Sequence, residues 1–358
     1  MGKIRLVNSK TAASRLKGAI SMEQRILGKD LAVSAVGLRC MGFSHAYGAP
    51  TNRIEAMRTI LRAADLGYTF FDTAEVYGTP EDPHHNEELV GAALKGRHDV
   101  CIATKFGIRF DQTSPAVNKP LVPDSRPETI RASLEASLRR LGRDHVDLYY
   151  QHRPDPKVPV EETAGVMADL MKEGKITHWG LSEATEDVIR RAHAVCPVTA
   201  VQNRYSMMAR WHEKLFPVLE ELNIGFVAFS PLANGLLSGR YGKHSRFDAG
   251  TDYRSVMPQF SDSAMDQNQA LLDLVLVHGG GEAGLARPDF PGLDAPQKAL
   301  SRPHSRQPEA RAPGGERRGG GRGADRRRGP GAGRRAGRHG DVPGVRRHKS
   351  DCVRNRRS

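Results

Sequence analysis

Four polar residues in this sequence could together transfer a proton to a bound small molecule: a carboxylate, a phenol, an ammonium group and an imidazole. They are Asp72 in FFDTAEVYG, Tyr77 in the segment that follows, Lys105 in ATKFG and His152 in YYQHRPD. A phenol is a weak acid with an ordinary pKa of about 10, and a nearby ammonium group favours its ionised form. Such a pair is suited to general acid catalysis if folding brings the residues together.

Each of the four residues also has a structural interpretation. Asp72 could cap a helix, Tyr77 could be an exposed loop tyrosine, and Lys105 and His152 could form an ion pair or a hydrogen bond at the rim of a barrel. Each residue, however, stands at or just after the end of an apolar run. This shared position favours one common site over four unrelated structural roles.

Continuous apolar runs predict strands that are buried on both faces, as in a parallel sheet. There are seven of them: VSAVGL (33–38), YTFFDT (68–73), VCIATKF (100–106), VDLYYQH (146–152), ITHWGLS (176–182), VTAVQN (198–203) and IGFVAFS (224–230). Helical patterns alternate with these runs at 52–66, 86–94, 130–141, 160–173, 185–196, 211–222 and 264–275. Just before the apolar pattern over 130–141, Ser125 and Glu128 predict a capping box at the start of the helix, and Pro127 suits its first turn.

Alternating strands and helices with right-handed parallel winding predict an α/β fold of the (β/α)8 TIM barrel type. The alternative, a Rossmann sheet, needs a Gly-rich turn after the first strand, and the sequence has none there. Active residues of such barrels lie at the carboxyl ends of the strands, which is where the four polar residues stand. Only seven strand–helix units are recognisable, so we expect an incomplete barrel.

The motifs around these residues resemble the aldo-keto reductase superfamily over about residues 22–275. NEEL (86–89), GLS (180–182), QN (202–203) and FSPL (229–232) add to the resemblance. It implies an oxidoreductase that reduces the carbonyl group of aldehydes or ketones to alcohols. By the same resemblance, Tyr77 is the proton donor and Lys105 is the neighbour that tunes it. Asp72 then holds Lys105 in place, and His152 hydrogen-bonds the carbonyl oxygen.

The same resemblance implies NADP(H) as the cofactor. Ser182 and Gln202 would then hydrogen-bond the nicotinamide carboxamide, and Phe229 would lie against the ring. The segment SPLANGLLSG (230–239) would wrap the diphosphate with backbone N–H groups. The residues expected to contact the cofactor are Gly42, Asp72, Ser182, Gln202, Phe229, Ser230, Pro231, Leu232, Gly235, Leu236 and Arg240. One departure is Arg39, which stands where relatives commonly have glycine and could crowd the end of the first strand.

The charge of the chain is concentrated at its ends. The 358 residues carry a net charge of +13, a value typical of nucleic-acid-binding proteins. Residues 276–358 hold 20 Lys and Arg but only 8 Asp and Glu. We therefore divide the chain into a basic extension over 1–21 outside the fold, a mildly acidic barrel over 22–275, and a disordered Arg/Gly/Pro-rich tail over 276–358.

A shifted reading frame would explain the composition of the tail. One nucleotide further on, permitted codons for residues 286–299 give PAQISLAWMLRKK, which is similar to the family's penultimate helix. Those for 303–306 and 312–317 give PIPG and RLEEN, which resemble the family's clamp for the adenosine 2′-phosphate of NADP. We expect the frame to change between about residues 276 and 286. Such a chain would lack the eighth strand and the clamp, and would be unstable and weak as a reductase.

Several other classes of protein and site are disfavoured by the sequence. It has no run of 18 apolar residues that could cross a membrane. Four cysteines, Cys40, Cys101, Cys196 and Cys352, are far apart and form no CxxC pair. A cytoplasmic protein without a bound metal is therefore expected. The oligomeric state is not indicated.

Two alternative functions stay open. The first is a cofactor-binding barrel, similar to potassium-channel β subunits, that serves mainly as an interaction partner. The second is a nucleic-acid-binding protein that uses the Arg/Gly tail. The four polar residues favour an enzyme with a small-molecule carbonyl substrate over both.

Overall fold

The computed structural model describes residues 22–116, 119–279 and 297–300. The basic extension over 1–21 and nearly all of the tail lie outside these residues, and so does most of the segment to which the frameshift hypothesis applies. No helix within the described ranges is long and apolar enough to cross a membrane.

The structure has a closed barrel with a short hairpin before it and another hairpin inserted in it. The strands of the described residues are β1 (Gln24–Leu27), β2 (Leu31–Ser34), β3 (Val36–Arg39), β4 (Phe70–Asp72), β5 (Cys101–Phe106), β6 (Ile108–Phe110), β7 (Leu121–Pro123), β8 (Val146–Gln151), β9 (Ile176–Ser182), β10 (Ala200–Arg204), β11 (Gly225–Phe229) and β12 (Gln297–Leu300). The barrel order is β3-β4-β5-β8-β9-β10-β11-β12, and the first seven of these strands pair in parallel. The predicted α/β barrel with seven parallel strands is confirmed.

The eighth position of the barrel requires a correction. We expected no strand after residue 275, but β12 lies between β11 and β3 and runs antiparallel to both. Its Cα partners are Phe226 with Leu300 on one side and Gly37 with Gln297 on the other. Without β12, the edges of β11 and β3 would present unpaired backbone groups, and an extended backbone can pair with such edges without an apolar sequence pattern. The strand therefore closes the barrel without forming an eighth parallel strand–helix unit.

Helices follow the barrel strands close to the predicted places, except that the helix predicted over 211–222 is shorter, because a 3-10 turn, Glu213–Leu215, precedes it. Those of the described residues are α1 (Arg53–Asp65), α2 (His85–Ala93), α3 (Pro127–Leu141), α4 (Val160–Lys172), α5 (Glu186–Val195), α6 (Phe216–Glu221) and α7 (Asp262–Gly279). The start of α3 differs from the prediction, because Arg126 is its N-cap residue and makes no side-chain cap bond. Ser125 lies one residue earlier, and its Oγ accepts a hydrogen bond from Gln151 Nε2 at 2.9 Å. The prediction of a capping box was therefore wrong, whereas Pro127 does occupy the first turn as predicted.

Apolar side chains pack in two layers. The outer layer lies between the strands and the helices and includes Tyr149, Trp179 and Ile130. The inner layer fills the barrel with Leu148, Val227 and their neighbours. The hairpin of β1 and β2 joins this inner layer: its fully buried Leu27 reaches Gly225 so closely that a Cβ there would lie 2.6 Å from Leu27 Cδ2. The amino-terminal hairpin therefore packs at the end of the barrel where β11 begins, away from the carboxyl ends of the strands.

Two helical glycines provide a matched test of this packing. A Cβ at Gly91 in α2 would lie 2.5 Å from the carbonyl oxygen of Arg140 in α3, whereas one at Gly165 in α4 would meet nothing within 4 Å. We expect Gly91→Ala to lower the free energy of unfolding by about 1–3 kcal/mol, because the two helices must separate. Gly165→Ala should raise it by up to about 1 kcal/mol through helix propensity. Urea denaturation measures both, and a shift in the same direction for the two variants would contradict this packing.

Candidate active site

A buried ion pair lies at the centre of the carboxyl-end face of the barrel. Asp72 is the last residue of β4, and Lys105 stands in β5 beside it. Lys105 Nζ donates to Asp72 Oδ1 at 2.6 Å and to the carbonyl oxygen of Thr73 at 2.7 Å. The side chain of Lys105 has no exposed surface and that of Asp72 is 2% exposed. Because both charged groups are buried, the ion pair is held in one geometry.

Tyr77 and His152 complete the cluster around this pair. Lys105 Nζ lies 4.8 Å from the centroid of the Tyr77 ring, and the ring centroids of Tyr77 and His152 are 5.5 Å apart in an edge-to-face arrangement. The loop that carries Tyr77 is held by α2, since the N–H of Asn86 donates to the carbonyl oxygen of Tyr77 at 3.1 Å. The structure thus brings Asp72, Tyr77, Lys105 and His152 together at one place.

His152 is held as a neutral imidazole. Burial lowers its pKa well below the ordinary value, and the nearby positive charges of Lys105, Arg153 and Arg39 lower it further. Its Nδ1 is buried and has no hydrogen-bond partner among the described residues. A neutral imidazole carries one N–H, so His152 can donate a hydrogen bond without also carrying a charge.

Arg39 enters the same cluster from the end of β3. It is the register partner of Asp72, and its Nε lies 4.0 Å from Asp72 Oδ1. Its Nη2 donates to the Tyr77 hydroxyl oxygen at 2.9 Å. Only 8% of the residue is exposed. Arg39, which stands where relatives commonly have glycine, is therefore a second buried cation next to Asp72 and Tyr77.

The residues expected at the nicotinamide ring surround the cluster, but their polar groups contact other side chains of the protein. Gln202 Nε2 donates to Asp72 Oδ2 at 2.9 Å. Ser182 Oγ accepts from Arg153 Nη1 at 3.3 Å. Phe229 ends β11, and its ring centroid lies 5.1 Å from Arg39 Cζ.

The segment over 230–239 leaves β11 as a series of tight turns. Positive φ angles occur at Ser230, Ala233, Asn234, Gly235 and Gly239. The N–H groups that donate to carbonyl oxygens within the segment are those of Ala233, Gly235, Leu236, Leu237, Ser238 and Gly239. Only the remaining N–H groups could therefore meet a diphosphate without rearrangement. Pro231 and Leu232 lie in these turns, and Leu236 is buried beneath them.

The two remaining residues that are expected to contact the cofactor, Gly42 and Arg240, lie in different loops. Gly42 stands in a short 3-10 turn, Cys40–Phe43, directly after β3. Arg240 is exposed beyond the last turn. A small cavity of about 120 Å³ lies next to this loop and is lined in part by Arg204, Ser230 and Asn234. Arg204 ends β10, and Ser230 directly follows β11.

Glu75 is a second recessed carboxyl close to the site. It lines a cavity of about 320 Å³ with Val76, Ile108 and Phe110, and its Oε1 accepts the N–H of Gly107 at 3.1 Å. Burial raises the pKa of Glu75 to about 7, against the opposing hydrogen bond from Ser133. The folded chain therefore holds this proton more tightly than the unfolded chain does. Its contribution to stability is present at low pH and is lost as the pH rises from the ordinary value of 4.5 to about 7.

Glu75→Gln tests this linkage. The variant keeps the acceptor for Gly107 but cannot ionise. We expect it to exceed the parent chain in free energy of unfolding by up to about 3 kcal/mol above pH 7 and to match it near pH 4.5. Urea denaturation across this pH range measures the difference. A difference that does not change with pH would show that Glu75 is not protonated in the folded chain at neutral pH.

Sequence reasoning missed the contacts of Arg39 and Arg153. Arg39 was noticed only as an unusual residue at the end of a strand, and that position was the one available signal. Arg153 directly follows His152 in the YYQHRPD motif, yet nothing in the motif indicates that its guanidinium reaches Ser182. No group of three or more His, Cys, Asp or Glu side chains that could hold a metal ion occurs in the described part of the chain.

Comparison with known proteins gives a consistent result. The sequence model of the Aldo/keto reductase family matches residues 37–284. The structure is similar to the glycerol dehydrogenase AKR11B4 from Gluconobacter oxydans, with a TM-score of 0.64 and 32% identity over 74% of this chain and 81% of that one. It is also similar to the holo form of the aldo-keto reductase AKR11C1 from Bacillus halodurans, with a TM-score of 0.55 and 29% identity over 71% of this chain and 91% of that one. A thermostable aldo-keto reductase in complex with the inhibitor epalrestat is 30% identical, with a TM-score of 0.52, over 60% of this chain and 74% of that one.

Proposed function

This chain belongs to the aldo/keto reductase family, and from that premise we propose that it reduces the carbonyl group of aldehydes or ketones to alcohols with NADP(H) as its cofactor. The observation that carries the proposal is the single buried cluster of Asp72, Tyr77, Lys105 and His152. Reduction of a carbonyl group adds hydride to carbon and a proton to oxygen. The cofactor supplies the hydride when it is bound, and the protein must supply the proton.

Tyr77 is the proposed proton donor. Its hydroxyl oxygen accepts a hydrogen bond from Arg39, so its own hydrogen can be directed towards a second acceptor. A carbonyl oxygen placed there would receive the proton as the carbon–oxygen double bond becomes a single bond. His152 lies beside the Tyr77 ring and is neutral, so its N–H can hold the same oxygen in position.

Asp72 and Lys105 act on Tyr77 rather than on the substrate. The ammonium group lies close to the phenol ring and stabilises negative charge that develops on the phenol as its proton leaves. Asp72 fixes the ammonium group through a direct hydrogen bond. Because the pair is buried, this electrostatic effect is not weakened by water.

The nicotinamide end of the proposed cofactor does not fit the site as the side chains are arranged. The guanidinium of Arg39 lies against Phe229, where the ring is expected, and the amide of Gln202 is hydrogen-bonded to Asp72. Both of these contacts are made by side chains. The roles proposed for Tyr77 and His152 do not depend on how these contacts are broken.

A panel of carbonyl compounds tests the proposal. The glycerol dehydrogenase among the similar structures supports including glyceraldehyde and dihydroxyacetone besides simple aldehydes and ketones. We expect oxidation of NADPH that depends on the added carbonyl compound and yields the matching alcohol. Parallel reactions with NADH measure the cofactor preference. A folded chain that oxidises neither cofactor with any member of the panel would refute the proposed activity.

The alternative functions receive less support. An interaction subunit would not require the buried cluster of Asp72, Tyr77, Lys105 and His152. The nucleic-acid-binding alternative depends on the Arg/Gly tail, nearly all of which lies outside the described residues. Loss of salt-dependent RNA binding on deletion of residues 276–358 is the measurement that would favour it.

A further inference from the structure

The guanidinium group of Arg39 fills the gap between two aromatic rings of the site. Its Cζ lies 5.4 Å from the centroid of the Tyr77 ring and 5.1 Å from that of Phe229. Phe229 is 6% exposed and Tyr77 is 3% exposed, so both rings are part of the buried wall. A cation between two aromatic faces is attracted by both of them.

Polar contacts add to the attraction by the rings. Arg39 Nη2 donates to the Tyr77 hydroxyl at 2.9 Å and contacts Met41 Sδ at 3.2 Å. Its Nε lies 4.0 Å from Asp72 Oδ1. A hydrogen bond from a charged donor is among the stronger ones, and burial strengthens it. The side chain therefore has a defined place, and moving it requires breaking several contacts together.

In the proposed reaction, the nicotinamide ring of the cofactor would have to lie in this same gap. A hydride donor must lie next to the carbonyl carbon, and the carbonyl oxygen must lie within hydrogen-bond distance of the Tyr77 hydroxyl. By the family resemblance, the ring of Phe229 is the flat surface against which the nicotinamide ring would lie. The guanidinium carbon of Arg39 lies 5.1 Å from the centre of that ring and that of Arg204 lies 5.7 Å from it, and of the two only Arg39 also contacts Tyr77, next to which the ring of the cofactor would have to lie.

We propose that Arg39 competes with the nicotinamide ring for the face of Phe229 and thereby weakens binding of the cofactor. This inference rests on the proposed function, because it assumes that a nicotinamide dinucleotide enters the site. The backbone at Arg39 has φ −81° and ψ 114°, an extended conformation that smaller residues adopt without strain. A shorter side chain would therefore open the gap without moving β3.

Isothermal titration calorimetry on the whole chain tests the inference with two ligands. NADPH carries the nicotinamide ring, and 2′-phospho-ADP-ribose is the same molecule without it. We expect Arg39→Ala to bind NADPH at least about tenfold more tightly than the parent chain, the equivalent of one charge-assisted hydrogen bond that no longer has to be broken. Its affinity for 2′-phospho-ADP-ribose should not change. Arg39→Lys keeps the charge and most of the length of the side chain, and should bind NADPH nearly as weakly as the parent chain.

The outcomes separate this inference from the function on which it rests. Binding of NADPH that is equal or weaker in Arg39→Ala, with 2′-phospho-ADP-ribose bound by both proteins, would overturn the competition by Arg39 and leave the proposed function standing. A tighter affinity for both ligands would also overturn it, since the effect would not concern the nicotinamide ring. Absence of binding of either ligand to all variants, each shown to be folded by its thermal transition, would overturn the proposed function together with the inference.

Discussion

Replacing Tyr77 with phenylalanine is expected to lower kcat for carbonyl reduction by about 10²–10⁴-fold, the usual contribution of a positioned general acid. The substitution removes one oxygen atom and leaves the ring between Lys105 and His152. The substrate oxygen would then have to take its proton from water, which the buried site largely excludes. KM should change much less than kcat, because the hydroxyl acts mainly while the proton is transferred. Steady-state kinetics on the best substrate of the panel measures both constants.

Tyr253→Phe is the matched control for this variant. Tyr253 packs on the apolar cluster that contains Tyr77, and its ring lies 5.2 Å from that of His45, but it has no proposed part in the chemistry. We expect it to retain most of the activity. Equal losses in the two variants would assign the effect to packing of the aromatic cluster, and an active Tyr77→Phe would exclude Tyr77 as the proton donor.

Asp72→Asn is expected to lower the free energy of unfolding by about 3–5 kcal/mol, because it leaves the ammonium group of Lys105 buried without a counter-charge. Lys105 has no exposed side-chain surface, and its remaining acceptor is the carbonyl oxygen of Thr73. Water cannot reach the charge unless the structure opens. The midpoint of urea denaturation should fall while the slope of the transition stays the same.

A double-variant cycle separates this effect from a general loss of packing. Asp72→Asn with Lys105→Met removes both charges, and it should be less destabilised than the sum of the two single variants. Glu221→Gln is the surface control, since Glu221 pairs with Arg190 where 57% and 41% of the two side chains are exposed. Its effect should be much smaller than that of Asp72→Asn. Additive losses in the cycle would mean that Asp72 and Lys105 do not stabilise one another.

The barrel could be predicted from the sequence because its strands are buried on both faces. Such strands are continuous apolar runs, and β9 (Ile176–Ser182) has the predicted bounds. The run over 33–38 was an exception, since Ala35 separates β2 from β3 and the two halves join different sheets. An apolar run gives no indication of such a break, because the division depends on the backbone pairing of β1 with β2.

The clustering of Asp72, Tyr77, Lys105 and His152 could also be predicted, since carboxyl ends of parallel strands meet at one face of a barrel. What could not be predicted is which side chains pair there. Arg39 and Asp72 are 33 positions apart in the chain, and only the register of β3 against β4 makes them neighbours. In the same way, the antiparallel β12 depends on backbone pairing with β11 and β3, and sequence patterns do not report this.

The measurement that tests the central claim most directly is the transfer of deuterium from NADPH labelled at its transferable hydrogen to an aldehyde substrate. With excess labelled cofactor, the parent chain should yield an alcohol that carries deuterium on the carbon of the former carbonyl group, as mass spectrometry of the product shows. Tyr77→Phe should yield almost none in the same time. An alcohol without the label, or equal labelling by both proteins, would contradict the claim that this cluster of residues carries out carbonyl reduction.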